Sequence, residues 1–178
     1  MATDIGSYVR DIPDFPTPGI VFKDITPVLA SAEALDAAVT QLADATRDLK
    51  VDVVVGAEAR GFLLGAALAR ELGAGFVLAR KPGKLPRDTV RAEYLLEYGT
   101  DALELHTDAV AQGARVLVHD DLLATGGTAQ ALCELVEQLE GVVVGCAFLI
   151  ELGFLNGRSR LSRYDVTSIL RYDSECRR

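Results

Sequence analysis

Two adjacent carboxylates, Asp120 and Asp121, stand just ahead of a run of small and hydroxyl-bearing residues, Ala124-Thr125-Gly126-Gly127-Thr128. Before the acids comes Val116-Leu117-Val118-His119, which reads as a short buried parallel strand. After the loop, Ala131, Leu132, Leu135, Val136 and Leu139 keep one face of a helix apolar. A strand, a loop of small residues and a helix N-terminus make a phosphate cradle, because unpaired backbone N–H groups and the positive helix end converge there. A carboxylate beside a phosphate repels it unless something separates the two. A ribose does so. Its vicinal hydroxyls can donate to Asp120 and Asp121 while its 5-phosphate lies in Ala124–Thr128.

Other phosphate loops fit poorly. The loop of P-loop nucleotide hydrolases needs a Lys after its last Gly, and none lies between Val116 and Gly141. The dinucleotide fingerprint puts one acid about twenty residues after three spaced glycines; here the acids come first and are paired. Two further segments offer anion chemistry. Glu58-Ala59-Arg60-Gly61 follows an apolar strand pattern and opens a helix, which makes a second anion site. Arg80, Lys81, Lys84, Arg87 and Arg91 cluster within twelve positions of a chain whose formal charge is −8. That cluster suits a small polyanion, whereas the acidic whole argues against nucleic acid as the main partner.

The elements that position these residues follow from pattern. With 178 residues and 49% hydrophobic content, the chain has the length and core of one domain. Residues 1–28, rich in Pro, read as an irregular cap in which Phe15, Ile20, Val21, Phe22 and Ile25 need burial. Ser31 caps a helix to about Lys50 with Leu35, Val39, Leu42 and Leu49 inward. Strands are expected over 51–56, 75–80, 116–119, 142–150 and 166–172, and a helix over 61–72 stopped by Gly73. Residues 81–90 read as a mobile basic loop, followed by a hairpin of 93–98 and 102–106. Strands alternating with helices imply a doubly wound, mainly parallel sheet with ligands at the strands' carboxyl ends. Cys133 and Cys146 sit in apolar patterns as buried thiols, which fits a reducing cytoplasm, and there is no signal segment and no membrane-length apolar run. His119 reads as a hydrogen-bonded core residue and forms no catalytic or metal pair with His106.

The string from Val116 to Thr128 resembles the ribose-phosphate signature of type I phosphoribosyltransferases. The likeness continues, in that family's order, through Pro13–Ile25, Glu58–Phe62, Arg80–Pro86, Leu96-Glu97-Tyr98-Gly99 and Ile150-Glu151-Leu152. The N-terminal and Leu-Glu-Tyr blocks point to the members that use adenine. The resemblance implies that family's doubly wound sheet with helices on both faces, a flexible hairpin loop and a small N-terminal hood, mainly residues 1–28 of a single domain spanning 1–178. It implies a purine salvage reaction of adenine with 5-phosphoribosyl diphosphate, giving AMP and pyrophosphate.

The same resemblance implies roles for residues. Asp120, Asp121, Ala124, Thr125, Gly126, Gly127 and Thr128 would hold the ribose phosphate. Ala59, Arg60, Arg80, Lys81 and Lys84 would hold the pyrophosphate, with a cis peptide at Glu58–Ala59. Backbone groups of Val21 and Lys23 would read the base edge, Phe22 would stack on the ring, and Leu152, with Glu151, would close the other ring face. Glu97 would exchange a proton with N7 of adenine, and Tyr98 would lie over the closed site. Mg²⁺ is expected to be carried mainly by the substrate diphosphate rather than by protein ligands, and the chain is expected to form a homodimer. A hypoxanthine, guanine or xanthine enzyme is the alternative within the class. A regulator that senses the ribosyl diphosphate is the alternative outside it, disfavoured by the acidic charge and the length.

Overall fold

The computed structural model describes residues 3–95 and 100–174. An antiparallel hairpin, β1 (Arg10–Pro13) and β2 (Val21–Asp24), leads into helices α1 (Thr26–Ala30) and α2 (Ala32–Thr46). Strand β3 (Val53–Ala57), helix α3 (Gly61–Leu72) and strand β4 (Gly75–Ala79) follow. A second antiparallel hairpin comprises β5 (Thr89–Leu95) and β6 (Thr100–His106). Then come β7 (Arg115–Leu123), α4 (Gly127–Gln138), β8 (Val142–Leu152) and β9 (Val166–Tyr172).

Five of these strands form one parallel sheet in the order β4-β3-β7-β8-β9. The chain winds outward from β3 to β4 on one side, then from β7 through β8 to β9 on the other. The direction of winding therefore reverses between β3 and β7. Open α/β sheets bind ligands outside the strands' carboxyl ends at such a reversal, where two loops part and leave a crevice. The turn after β3 is Glu58–Arg60 and the loop after β7 begins at Ala124. Both anion turns read from the sequence flank the reversal.

Alternation along the strands builds a core on each face of the sheet. Val55, Val116 and Val118 face α4 and β6, against Leu132, Leu135 and Leu105. Val54 and Leu117 face the opposite way, against Leu64 and Leu68 of α3, Leu42 of α2, and Ile25 and Val28 of the N-terminal segment. Helices thus cover both faces. Gly73, at φ +69°, ends α3 as the C-cap, and the Ser31 side chain accepts from the Ala34 N–H at 3.2 Å to open α2.

Several expectations are corrected. The N-terminal cap is not irregular, since β1 and β2 pair in register. Phe15 is 51% and Ile20 42% exposed, because both lie in the connection between those strands, while Ile25 is buried. The inward face of α2 is Ala34, Ala38 and Leu42, with Leu35 and Val39 only half-buried; small residues let the helix approach its neighbours closely. Strand β7 runs four residues beyond His119, so Asp120 and Asp121 belong to the strand itself. The basic loop ends where β5 begins at Thr89; within it the Gly83 N–H donates to Glu104 at 3.2 Å, and just before it Arg80 and Glu104 exchange backbone hydrogen bonds. Among the described residues, no helix is long and apolar enough to cross a membrane.

Candidate active site

A cavity of about 200 Å³ opens at the end of β7, lined by Arg60, Asp120, Asp121, residues 122–129 and Phe148. Gly126 adopts φ +85° and caps α4, whose first turn carries no acidic residue. The loop turns there so that the first N–H groups of α4 face the cavity, free of local carboxylate competition. A Cβ on Gly126 would sit 2.5 Å from the Gly157 carbonyl oxygen, and one on Gly157 would overlap the Ala124 carbonyl oxygen. The cradle is therefore backed by bare main chain from the short 3₁₀ turn Gly157–Leu161. Gly127 points elsewhere, toward the Leu95 carbonyl oxygen and the Tyr94 ring.

Of the paired acids, Asp121 is buried and Asp120 half-buried. The side chain of Asp121 is 3% exposed, and its Oδ2 lies 3.2 Å from Nε of Arg60. Asp120 Oδ1 accepts from the Asp121 N–H at 2.9 Å. Burial, and next the neighbouring Asp121 carboxylate, push the Asp120 carboxyl well above the usual range. Burial also raises Asp121, with the Arg60 guanidinium opposing it. Two such carboxyls gain from hydroxyl donors, which satisfy their oxygens and favour the ionised form.

The cationic side is organised by an acid. Glu58 accepts from the Lys81 N–H at 2.8 Å and from Arg80 Nε at 3.4 Å, and it is also bonded by Nζ of Lys84. That last bond dominates in drawing Glu58 down to about 2, with burial opposing. The Glu58–Ala59 peptide is cis, as the resemblance implies. Nζ of Lys81 lies 2.9 Å from Asp101 of β6. Ala59, Arg60, Arg80, Lys81 and Lys84 thus gather around one turn. Arg87 lines a cavity with Arg80 and Lys84 and pairs with Asp108, whereas Arg91 pairs with Glu93 and does not join them. The Gln138 side chain donates to the Arg91 carbonyl at the far end of α4, eleven residues from Gly127, so Arg91 lies roughly 16 Å along that helix from the cradle.

The hairpin β1–β2 closes the other flank. The Arg60 guanidinium lies 5.1 Å from the Phe22 ring centroid, and Phe15 meets Phe22 edge-on at 5.2 Å. Arg60 therefore spans from Phe22 to Asp121. Lys23 is buried, its Nζ 2.6 Å from Asp11 Oδ1 and 4.3 Å from the Tyr172 ring centroid. Tyr172 is the register partner of Leu152, which brings β2 and the end of β8 to the same side of the site. Glu151 does not face a base ring: its side chain turns away into a cluster with Arg158, Arg171 and Ser168. Glu97 and Tyr98 lie outside the described residues.

Sequence reasoning missed three contributors. Tyr94 reaches Asp101 at 3.2 Å and Thr128 of the cradle with its hydroxyl; only the pairing of β5 with β6 brings it there. Gly157 and Phe148 carry no local signal, since their roles arise from packing behind the cradle. His119 is the core residue expected. Its Nδ1–H donates to the Ala147 carbonyl at 2.9 Å, and burial depresses it to about 4. Cys133 and Cys146 are buried free thiols with sulfurs 3.6 Å apart.

A parallel sheet whose winding reverses between a cation-bearing turn and an acid-flanked phosphate loop is the architecture of a type I phosphoribosyltransferase. Residues 23–174 match the family model described as "Phosphoribosyl transferase domain". The adenine phosphoribosyltransferase of Rubrobacter xylanophilus is 60% identical over 94% of this chain and 91% of its own. That of Thermotoga maritima is 54% identical over 95% and 98%. A crystal structure of the enzyme from Thermoanaerobacter pseudethanolicus superposes with a TM-score of 0.94 at 53% identity, covering 97% of this chain and all of that one. The Saccharomyces cerevisiae enzyme, solved with an imino-altritol bisphosphate and adenine, superposes at 0.89 and 40% identity, over 95% and 98%. The chain belongs to the adenine phosphoribosyltransferase family.

Proposed function

We propose that the protein transfers the 5-phosphoribosyl group from its diphosphate to N9 of adenine, giving AMP and pyrophosphate. The observation that carries this reading is the meeting of the cradle, the paired acids and Arg60 at the winding reversal. Asp120 and Asp121 accept the ribose hydroxyls, and Ala124, Thr125, Gly126, Gly127 and Thr128 hold the 5-phosphate. Ala59, Arg60, Arg80, Lys81 and Lys84 take the diphosphate. Its departure builds negative charge on oxygens facing those cations, which therefore stabilise the transition state more than the ground state. Arg80, Lys81 and Lys84 exchange their present carboxylate partners, Glu58 and Asp101, for the diphosphate.

Val21 and Lys23 read the edge of adenine through backbone groups, with Phe22 and Leu152 on its ring faces. Adenine offers a donor at its 6-amino group and an acceptor at N1, and hypoxanthine reverses that pattern. The wrong base leaves buried groups unpaired. Glu97 exchanges a proton with N7 as N9 attacks, and Tyr98 covers the closed site.

Mg²⁺ fits this site as a passenger of the substrate. Among the described residues no three metal-ligating side chains converge, and Asp121 is already paired with Arg60. Asp120 and Asp121 are the carboxylates that line the cavity, and the remaining ligands would come from diphosphate, ribose and water. When bound, the ion neutralises part of the leaving group's charge.

We read residues 1–178 as one domain with residues 1–28 as its hood, since Ile5, Val9, Ile25 and Val28 share a core with α2 and α3. A homodimer is supported by exposed Leu63 of α3 and exposed Leu78 on the edge strand β4. The two buried thiols support a reducing cytoplasm. The test is pyrophosphate release from 5-phosphoribosyl diphosphate and Mg²⁺, with and without adenine. Release that requires adenine is the expected result. No release, or equal release without a base, contradicts a base-directed transferase and favours a binding protein or a hydrolase.

A further inference from the structure

The geometry points to Glu151 and Arg158 as positioning residues for the phosphate cradle, acting from behind it without touching the substrate. The inference rests on the proposed use of the cradle for the 5-phosphate. Glu151, at the end of β8, is 3% exposed at its side chain, and each carboxylate oxygen has two partners. Oε1 accepts from Arg158 Nε at 2.7 Å and from Arg171 Nη1 at 2.9 Å. Oε2 accepts from Arg158 Nη2 at 2.7 Å and from Ser168 Oγ at 2.5 Å. The Arg158 fork is thus bidentate, and its Nη1 donates in addition to the Val166 carbonyl at 2.8 Å. The Arg158 bonds come first in holding Glu151 below the usual carboxylate range, against its burial.

An exposed ion pair fixes little. This pair differs because Glu151 is buried, although the Arg158 side chain is 40% exposed: removing Arg158 takes away both bonds of its fork at once and leaves the desolvated carboxylate only Arg171 and Ser168. What Arg158 holds is the turn that begins at Gly157. There is no room for a Cβ between Gly157 and Ala124, or between Gly126 and Gly157, so any shift of this turn is passed directly to the main chain of the cradle. The route runs from β8 and β9 through Arg158 to Gly157 and on to the loop whose N–H groups face the phosphate. A packed contact of bare main chain has no side chain to absorb the displacement, so loosening the turn blurs the donor geometry.

The test is calorimetric titration with ribose 5-phosphate and, separately, with adenine, on protein shown by circular dichroism to be folded. Arg158→Met is expected to raise the Kd for ribose 5-phosphate by about tenfold, while that for adenine moves less than about threefold. Arg158→Lys, which restores the charge but not the fork, is expected to fall between Arg158→Met and wild type. In turnover, KM for the ribosyl diphosphate is expected to rise with kcat little changed. A folded Arg158→Met with wild-type affinity overturns the inference. If Arg158→Met does not fold, Arg158→Lys decides: it keeps the charge but loses the fork to Glu151, and an unchanged Kd for ribose 5-phosphate overturns the inference equally. A wild-type protein that binds no ribose 5-phosphate overturns the proposed function itself, whereas wild-type binding with unaltered variants sinks only the positioning role.

Discussion

Asp120 and Asp121 show how far single residues could be read. Their types and their place before a small-residue loop point to a ribose phosphate, because few ligands reconcile carboxylates with a phosphate cradle. What the string could not show is the burial of Asp121 and its contact with Arg60 at 3.2 Å, a residue of another loop. Glu151 was misread for the same reason: its partners Arg158, Ser168 and Arg171 lie 7, 17 and 20 residues away, and only β9 pairing and a 3₁₀ turn bring them in. Asp120→Asn and Asp121→Asn are expected to weaken 5-phosphoribosyl diphosphate by at least about tenfold and adenine far less, since an amide still accepts a hydrogen bond but brings no charge to the ribose and its ion. Equilibrium titration of each ligand checks this, and equal losses for both would mean that the acids serve the fold alone.

At the scale of elements, α3 and β9 were legible to the residue. The first is bounded by Gly61 and Gly73, and the second, Val-Thr-Ser-Ile-Leu-Arg-Tyr, is dense in β-branched and aromatic residues. The hairpin β1–β2 was not legible, because its pairing joins four-residue segments across a Pro-rich connection, with β1 exposed throughout and β2 buried only at a lysine, Lys23. The carboxyl end of β7 was cut short because charged residues break an apolar pattern, although parallel pairing with β8 continues through Leu123. The cradle is likewise a joint product of two elements, the β7–α4 loop and the turn after β8. Gly157→Ala should therefore damage it from outside the recognised string. The added methyl meets the Ala124 carbonyl oxygen, main chain that cannot rotate away, and AMP affinity is expected to fall by about tenfold or more with the sheet intact. Titration with AMP measures it; wild-type affinity in a folded variant would mean that the backing turn does not set the cradle.

For the whole molecule, the topology places the Glu58–Arg60 turn and the loop after β7 at one winding reversal, and core packs on both faces of the sheet beneath them. His119 lies in that core, directly before the paired acids, and stays neutral because burial draws it from an ordinary 6.5 down to about 4. As pH falls below about 6.5 the unfolded chain takes up this proton first, so native stability declines through the interval to about pH 4 and then levels off for this group. His119→Leu should remove that slope. Between pH 7 and pH 4 wild type is expected to lose about 3 kcal/mol more stability than the variant, the whole interval counting at ~1.4 kcal/mol per pH unit. Urea midpoints at the two pH values check it, and parallel losses would show that His119 is protonated equally in both states. The central claim, that this site joins adenine to a phosphoribosyl group, is tested most directly by competition among bases. Adenine, hypoxanthine, guanine and xanthine are supplied together at equal concentration with 5-phosphoribosyl diphosphate and Mg²⁺, and the nucleotides formed are separated and identified. AMP is predicted to be the dominant product; a mixture led by IMP, GMP or XMP, or no nucleotide at all, would contradict the account.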